Sequence, residues 1–168
     1  MSFIFESIER FIAGTVGEPG ERAFFIQARS GARLVTVALE KAQVAALAER
    51  LEIVIKNLCR NDLSLVIERA PRDDAALELP IEAEFDVGAI SIAWDEESTS
   101  MSIEFFEIQN DETQAGLSLK VSINLGMCDA FVQRSKALLR AGRLPCPLCG
   151  ISIDPQGHLC PRANGYRR

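Results

Sequence analysis

The chain has 168 residues, 48% of them hydrophobic and 25% charged, with a formal charge of −6. Such a composition excludes a disordered or fibrous chain and predicts one compact body with a small appendage; at this length roughly 68–70% of the unfolded surface is buried on folding, so the core needs no disulfide or metal. No stretch approaches the roughly 20 apolar residues of a membrane-spanning helix, and no charged segment precedes an apolar leader, which predicts a cytoplasmic protein without a membrane partner.

In chain order, Phe11 to Val16, Ala23 to Arg29 and Leu34 to Leu39 are apolar runs separated by turn-formers, first Gly17-Glu18-Pro19-Gly20 and then Ser30-Gly31. They predict an antiparallel meander. After Glu40 the period changes, and Val44, Leu47, Leu51, Val54 and Leu58 recur at three and four while Glu49, Arg50, Glu52 and Lys56 fall elsewhere. That spacing predicts an amphipathic helix over one sheet face. From Asn61 to Pro80 the pattern weakens around Ala70-Pro71-Arg72-Asp73-Asp74, as in a connecting loop, with a short strand expected at Leu63, Leu65 and Ile67.

The second half repeats the order. Strands are expected from Glu82 to Trp94, Met101 to Gln109 and Leu117 to Leu125, then a helix from Met127 to Ala141. Leu117, Leu119, Val121, Ile123 and Leu125 alternate with Ser118, Lys120, Ser122 and Asn124, which places one face in the core and the other in water. The helix carries Cys128, Phe131, Val132, Ser135, Leu138 and Leu139 on one stripe and meets the stop signals Gly142 and Pro145. The expected fold is therefore α+β: duplicated strand-strand-strand-helix units, about 1–62 and 80–142, form an antiparallel sheet with two helices on one face, and 143–168 add a metal-binding hairpin and basic tail.

That ending carries the chemistry. Cys146-Pro147-Leu148-Cys149-Gly150 brings two thiols together at a tight turn, and Asp154-Pro155-Gln156-Gly157 has the composition of a β-turn that folds His158 and Cys160 back over them. At i and i+2 of a strand, His158 and Cys160 point to one side. Cys146, Cys149, His158 and Cys160 thus supply the four N or S donors that zinc takes at tetrahedral corners, which predicts one structural zinc ion per chain with no position left for water. A redox Cys-x-x-Cys usually opens a helix, which Pro147 and Gly150 oppose. Cys59 and Cys128, each on an expected helix, read as buried thiols acting as small hydrophobes.

Seven basic residues (Arg134, Lys136, Arg140, Arg143, Arg162, Arg167, Arg168) face one acid, Asp154, from residue 134 onward, a local charge of +6 that leaves −12 on the rest. The molecule is an acidic body with a basic end. Arg143, Arg162, Asn164, Tyr166, Arg167 and Arg168 are candidate partner-binding residues, since guanidinium groups, an amide and an aromatic ring suit carboxylates, phosphates or a stacked base. A frayed polar end, or a strap over the protein's own acidic body, is the alternative.

The segments Phe11 to Gly20, Leu39-Glu40-Lys41-Ala42-Gln43-Val44, Ala83-Glu84-Phe85-Asp86-Val87-Gly88, Gly142 to Cys149 and His158 to Tyr166 carry a resemblance over nearly the whole chain. Through them the chain resembles a bacterial family, domain of unknown function 3090. The resemblance implies a small cytoplasmic protein with this zinc-type ending and transfers no activity, substrate or catalytic residue.

Two functional classes follow. The first is a non-catalytic, zinc-stabilised binding or adaptor protein recognising an acidic protein surface or a phosphate-bearing partner, with nucleic acid disfavoured by the acidic body. The alternative is an enzyme, a hydrolase or phosphoryl-transfer protein, with a site assembled on the sheet from distant residues. Gly14-Thr15-Val16-Gly17-Glu18-Pro19-Gly20 lacks the Lys-Ser or Lys-Thr of a phosphate loop and reads as a hairpin end. Asp73-Asp74, Asp95-Glu96-Glu97 and Asp111-Glu112 read as solvated turns, and Trp94 as packing.

Overall fold

The computed structural model describes residues 1–18, 20–111, 113–141, 146–150 and 160. Strand β1 (Ser2–Phe5) precedes the meander β2 (Arg10–Val16), β3 (Ala23–Ser30) and β4 (Arg33–Leu39) and helix α1 (Lys41–Asn61). A long connection then leads to β5 (Val87–Asp95), β6 (Ser100–Glu107), β7 (Ser118–Asn124) and helix α2 (Leu125–Arg140). The architecture is α+β as expected, with three antiparallel strands and a helix occurring twice in that order.

Local chemistry sets the boundaries. Gly17, Gly20 and Gly31 take φ of 101°, 99° and 59° at the two hairpin ends of the first meander, where a side chain would be strained. Asn124 caps α2, its Oδ1 accepting from the Met127 N–H at 2.8 Å. Gln43 serves both helix and sheet: its Oε1 accepts from the Glu40 N–H at 2.8 Å, while its Nε2 donates to the carbonyls of Val87 and Gly88 at 2.8 and 3.1 Å. The first turn of α1 is thereby fixed to the start of β5.

The strands form two sheets, β2-β3-β4 and β1-β7-β6-β5, rather than one continuous antiparallel sheet. Residues 84–86 make the seam between them. Glu84 N–H donates to Thr36 O at 2.8 Å and Ala38 N–H to Phe85 O at 3.1 Å, a parallel pairing, while Ile108 N–H donates to Asp86 O at 2.9 Å on the other side. Strand β1, absent from the sequence reading because four residues show no usable period, adds to β7 in parallel, Ser2 opposite Ser118 and Phe5 opposite Val121.

A single core lies between the sheets and the helices. Phe11 and Ala13 of β2, Ile26 and Ala28 of β3, and Val35 and Val37 of β4 join Met101, Ile103 and Phe105 of β6 and Leu119, Val121 and Ile123 of β7. The helices close it with Val44, Leu47 and Leu51 of the expected α1 stripe, where Ile55 is buried and Val54 and Leu58 only partly so, and with Cys128, Phe131 and Val132 from α2. Phe11 and Phe131 stack at 4.6 Å between centroids, and Lys136 of α2 pairs with Glu52 of α1. Trp94 packs against this core.

The connection from 62 to 86 holds no strand; Leu63 and Val66 are exposed, Leu65 and Ile67 pack against the core, and Phe85 is buried within it. It runs as a strap from α2 to the back of the first sheet. There Leu77 lies on Gly14, and Gln27 acts as a surrogate strand, its Oε1 accepting from Glu78 N–H at 2.8 Å and its Nε2 donating to Glu78 O at 2.9 Å. At the other end the Glu68 carbonyl oxygen occupies the place a Cβ on Gly126 would need.

Gly126→Ala therefore tests the strap's seating. Helix propensity alone would raise stability by about 1 kcal/mol, whereas a collision with a backbone carbonyl should lower it by about 1–3 kcal/mol. Urea unfolding is expected to show the loss; a gain would mean that the strap does not press on α2.

Candidate metal centre

The structure brings together three of the four side chains that the sequence motif offers as donors, all of them cysteines. The sulfurs of Cys146, Cys149 and Cys160 lie within 4.8 Å of one another, and Cys146 Sγ and Cys160 Sγ are 3.8 Å apart, far beyond the disulfide length of about 2.05 Å. A tight turn aims the first pair. Gly150 N–H donates to Cys146 O at 2.9 Å, and Gly150 takes φ of 76°, a conformation open to glycine. Backbone N–H groups of Cys149 and Leu148 point at the Cys146 sulfur and hold its thiol below the ordinary range, favouring the thiolate that a metal requires. Cys146 and Cys160 are buried and Cys149 half-buried, so the three could hold a metal ion at a partly covered site. Arg143, His158, Arg162, Asn164, Tyr166, Arg167 and Arg168 lie outside the described residues.

The remaining thiols behave otherwise. Cys128 is fully buried in the core, and desolvation pushes its pKa up to about 12, which leaves an unreactive S–H. Cys59 is half-buried at the edge of the same core.

A second polar centre escaped the sequence reading. Asp73, expected in a solvated turn, is gripped by two arginines from different elements. Arg10 of β2 meets it with Nε at 2.6 Å and Nη2 at 3.0 Å, and continues from Nη2 to the carbonyls of Ala75 and Ala76, both at 3.1 Å. Arg134 of α2 donates from Nη1 to Asp73 O at 2.8 Å and from Nε to Ala13 O at 2.7 Å, covering the free edge of β2. The hydrogen bond from Arg10 chiefly holds the Asp73 carboxyl below the usual range, although desolvation opposes it. Asp95 and Asp111 do sit in exposed turns, bonded to Ser98 and Thr113. No sequence spacing links Arg10, Asp73 and Arg134; only charged residues at otherwise apolar elements hinted at them.

The strap leaves cavities on both sides of this clamp. One of 580 Å³ is lined by Phe11, Ile12, Met127 and Phe131 together with Glu9, Arg10 and Asp73; the other, of 420 Å³, runs along α2 and is lined by Arg69, Arg72, Arg134 and Arg140 together with Asp73, Asp74 and Asp129. Ala70 to Asp74 lie between the two.

Comparison with known proteins adds one match. The model of a family described as protein of unknown function (DUF3090) matches residues 3–160, which include the strap, both helices and all three described cysteines of the centre. No curated protein and no solved structure matches the chain.

Acid titration tests the clamp. Because the folded carboxyl of Asp73 titrates below its unfolded value of about 3.9, its contribution is complete above that pH and is lost as pH falls through the depressed value. Asp73→Asn should flatten this part of the acid limb and cost about 1–2 kcal/mol at pH 7, a figure reduced because the side chain is 36% exposed. Urea midpoints across pH 2–7 measure both; an unchanged acid limb would remove Asp73 from the stabilising network. For the thiols, Cys128 should resist an aromatic disulfide reagent in the folded protein and react only after denaturation.

Proposed function

Since the chain belongs to the family described as protein of unknown function (DUF3090), whose description supplies no inherited activity, we propose that it is a non-catalytic binding protein whose C-terminal segment folds around one structural zinc ion and recognises an acidic protein surface or phosphate-bearing partner. The observation that carries this reading is the convergence of three thiol sulfurs. A tetrahedral zinc with bonds near 2.3 Å has ligand edges of about 3.8 Å, the spacing found between Cys146 and Cys160. His158, two residues before Cys160, completes the set in sequence. Four protein donors leave no open position, so the ion organises the segment instead of activating water.

The rest of the molecule supports binding over catalysis. The half-buried acid beside the cavities, Asp73, is held ionised by Arg10 and Arg134, the reverse of what a general acid needs. Cys128 is protonated and inaccessible. What remains for recognition is the basic ending, in which Arg162, Asn164, Tyr166, Arg167 and Arg168 follow directly on Cys160. A cytoplasmic setting suits metal-bound thiolates, and no helix among the described residues is long and apolar enough to cross a membrane.

Elemental analysis of purified protein should return about one zinc per chain, and Cys149→Ser should lose it while the body keeps its helical signal. Cobalt substitution should give the intense d–d bands of four-coordinate thiolate ligation; weak five-coordinate bands would defeat the closed shell. For recognition, a labelled oligoglutamate should bind the intact protein and lose about tenfold or more in affinity when Arg162, Arg167 and Arg168 are changed to glutamate. Equal affinities would remove the tail from the recognition surface.

A further inference from the structure

A sheet edge presents unpaired N–H and C=O groups, and three of the four edges here are short or covered. Arg134 covers the outer edge of β2 through Ala13 O, residues 84–86 lie along β4, and β1 has only four residues, with Arg33 donating to Ile4 O at 3.3 Å. Strand β5 ends its sheet without such a device. Gln43 takes the carbonyls of Val87 and Gly88, but from Ala89 to Asp95 the main chain is hydrogen-bonded to β6 alone among the described residues. This span has no Lys, Arg or Pro, and its one charge is Asp95 at the end. Its inner face is unfinished as well. Ile90, Ile92 and Trp94 lie opposite Phe105, Ile103 and Met101 of β6, all 0% exposed, yet are themselves only half-buried.

We propose that β5 pairs with β5 of a second copy of this chain, antiparallel about a two-fold axis at Ile92, so that two four-stranded sheets join edge to edge. The free span selects this register. With Ile92 at its midpoint, Ile90 meets the partner's Trp94, Ser91 the partner's Ala93, and Ala89 the partner's Asp95. An aromatic ring against a β-branched side chain is a favourable cross-strand pair, the small side chains meet on the outer face, and no like charges are opposed. The axis stands perpendicular to the sheet, so both half-buried rows stay on one face and continue each other. Parallel pairing would instead set Asp95 against Asp95 and throw the two rows onto opposite faces. A foreign strand would need three apolar side chains at alternate positions with its acid beyond them, which a second copy has by identity. The contact lies apart from the C-terminal metal and does not depend on it.

Sedimentation equilibrium of the full-length, metal-loaded protein should show a monomer–dimer equilibrium between 18.5 kDa and twice that mass. Because each copy carries −6, added salt should tighten the dimer by screening repulsion; weakening by salt would mean that a basic ending meets an acidic body, and would overturn the assignment. Ser91→Lys with Ala93→Lys sets lysine against lysine twice across the axis and should raise the dissociation constant about tenfold or more. Ser91→Glu with Ala93→Glu should do the same. Both positions are exposed, so each variant should keep its helical signal. Mixing the lysine and glutamate variants should restore the dimer, since each lysine then faces a glutamate. A protein that stays monomeric at millimolar concentration, a lysine variant that dimerises as the original does, or two variants that stay apart when mixed would each end the proposal.

Discussion

Two guanidinium groups closing on Asp73, Arg10 on its carboxylate and Arg134 on its main-chain carbonyl, tie a connection without secondary structure to a strand and a helix that already meet through the Phe11–Phe131 stack. Arg10 comes from the edge strand of the first sheet, Arg134 from the last helix, and Asp73 from a connection without secondary structure. A buried arginine costs desolvation, and two of them near each other repel; the shared carboxylate and the carbonyls of Ala13, Asp73, Ala75 and Ala76 offset that cost. What is gained is position. The strap is forced around the edge of β2, so that Leu77 and Glu78 cover the back of the sheet where Ile12, Gln27 and Thr36 would otherwise meet water.

This explains how the fold was legible in part. Where one face is dry and the other wet, the sequence records the fact in its period, and the alternation through Leu119, Val121 and Ile123 or the stripe through Val44, Leu47 and Leu51 could be read directly. Turn glycines marked the hairpins for the same local reason. The strap has no period, because each of its contacts is a separate device: a carbonyl against Gly126, a carboxylate in a clamp, a leucine over Gly14, a backbone pair with Gln27. Asp73 beside Asp74 looks like any solvated turn until Arg10 and Arg134 arrive from 63 and 61 residues away. The seam at residues 84–86 and the addition of β1 to β7 were hidden likewise, since both join segments far apart in sequence.

The metal centre shows the opposite balance. Its residue types and spacing are chemically specific, so Cys146, Cys149 and Cys160 were identifiable without any tertiary information, and their sulfurs do converge. The same specificity does not extend to recognition. Arginines at a chain end and arginines beside a cavity are equivalent in composition, and only the packing of α2 against the strap sets Arg69 and Arg140 at one cavity with Asp73, Asp74 and Asp129.

The placement of β1 bears on how the chain assembles. Ser2 to Phe5 find their partner only at Ser118 to Val121, so β1 has no edge to join until a segment 116 residues further along the chain is in place. During synthesis the first meander and its helix can collapse while β1 hangs loose, and closing that distant pair belongs to the late part of folding, when loop-closure entropy is already spent.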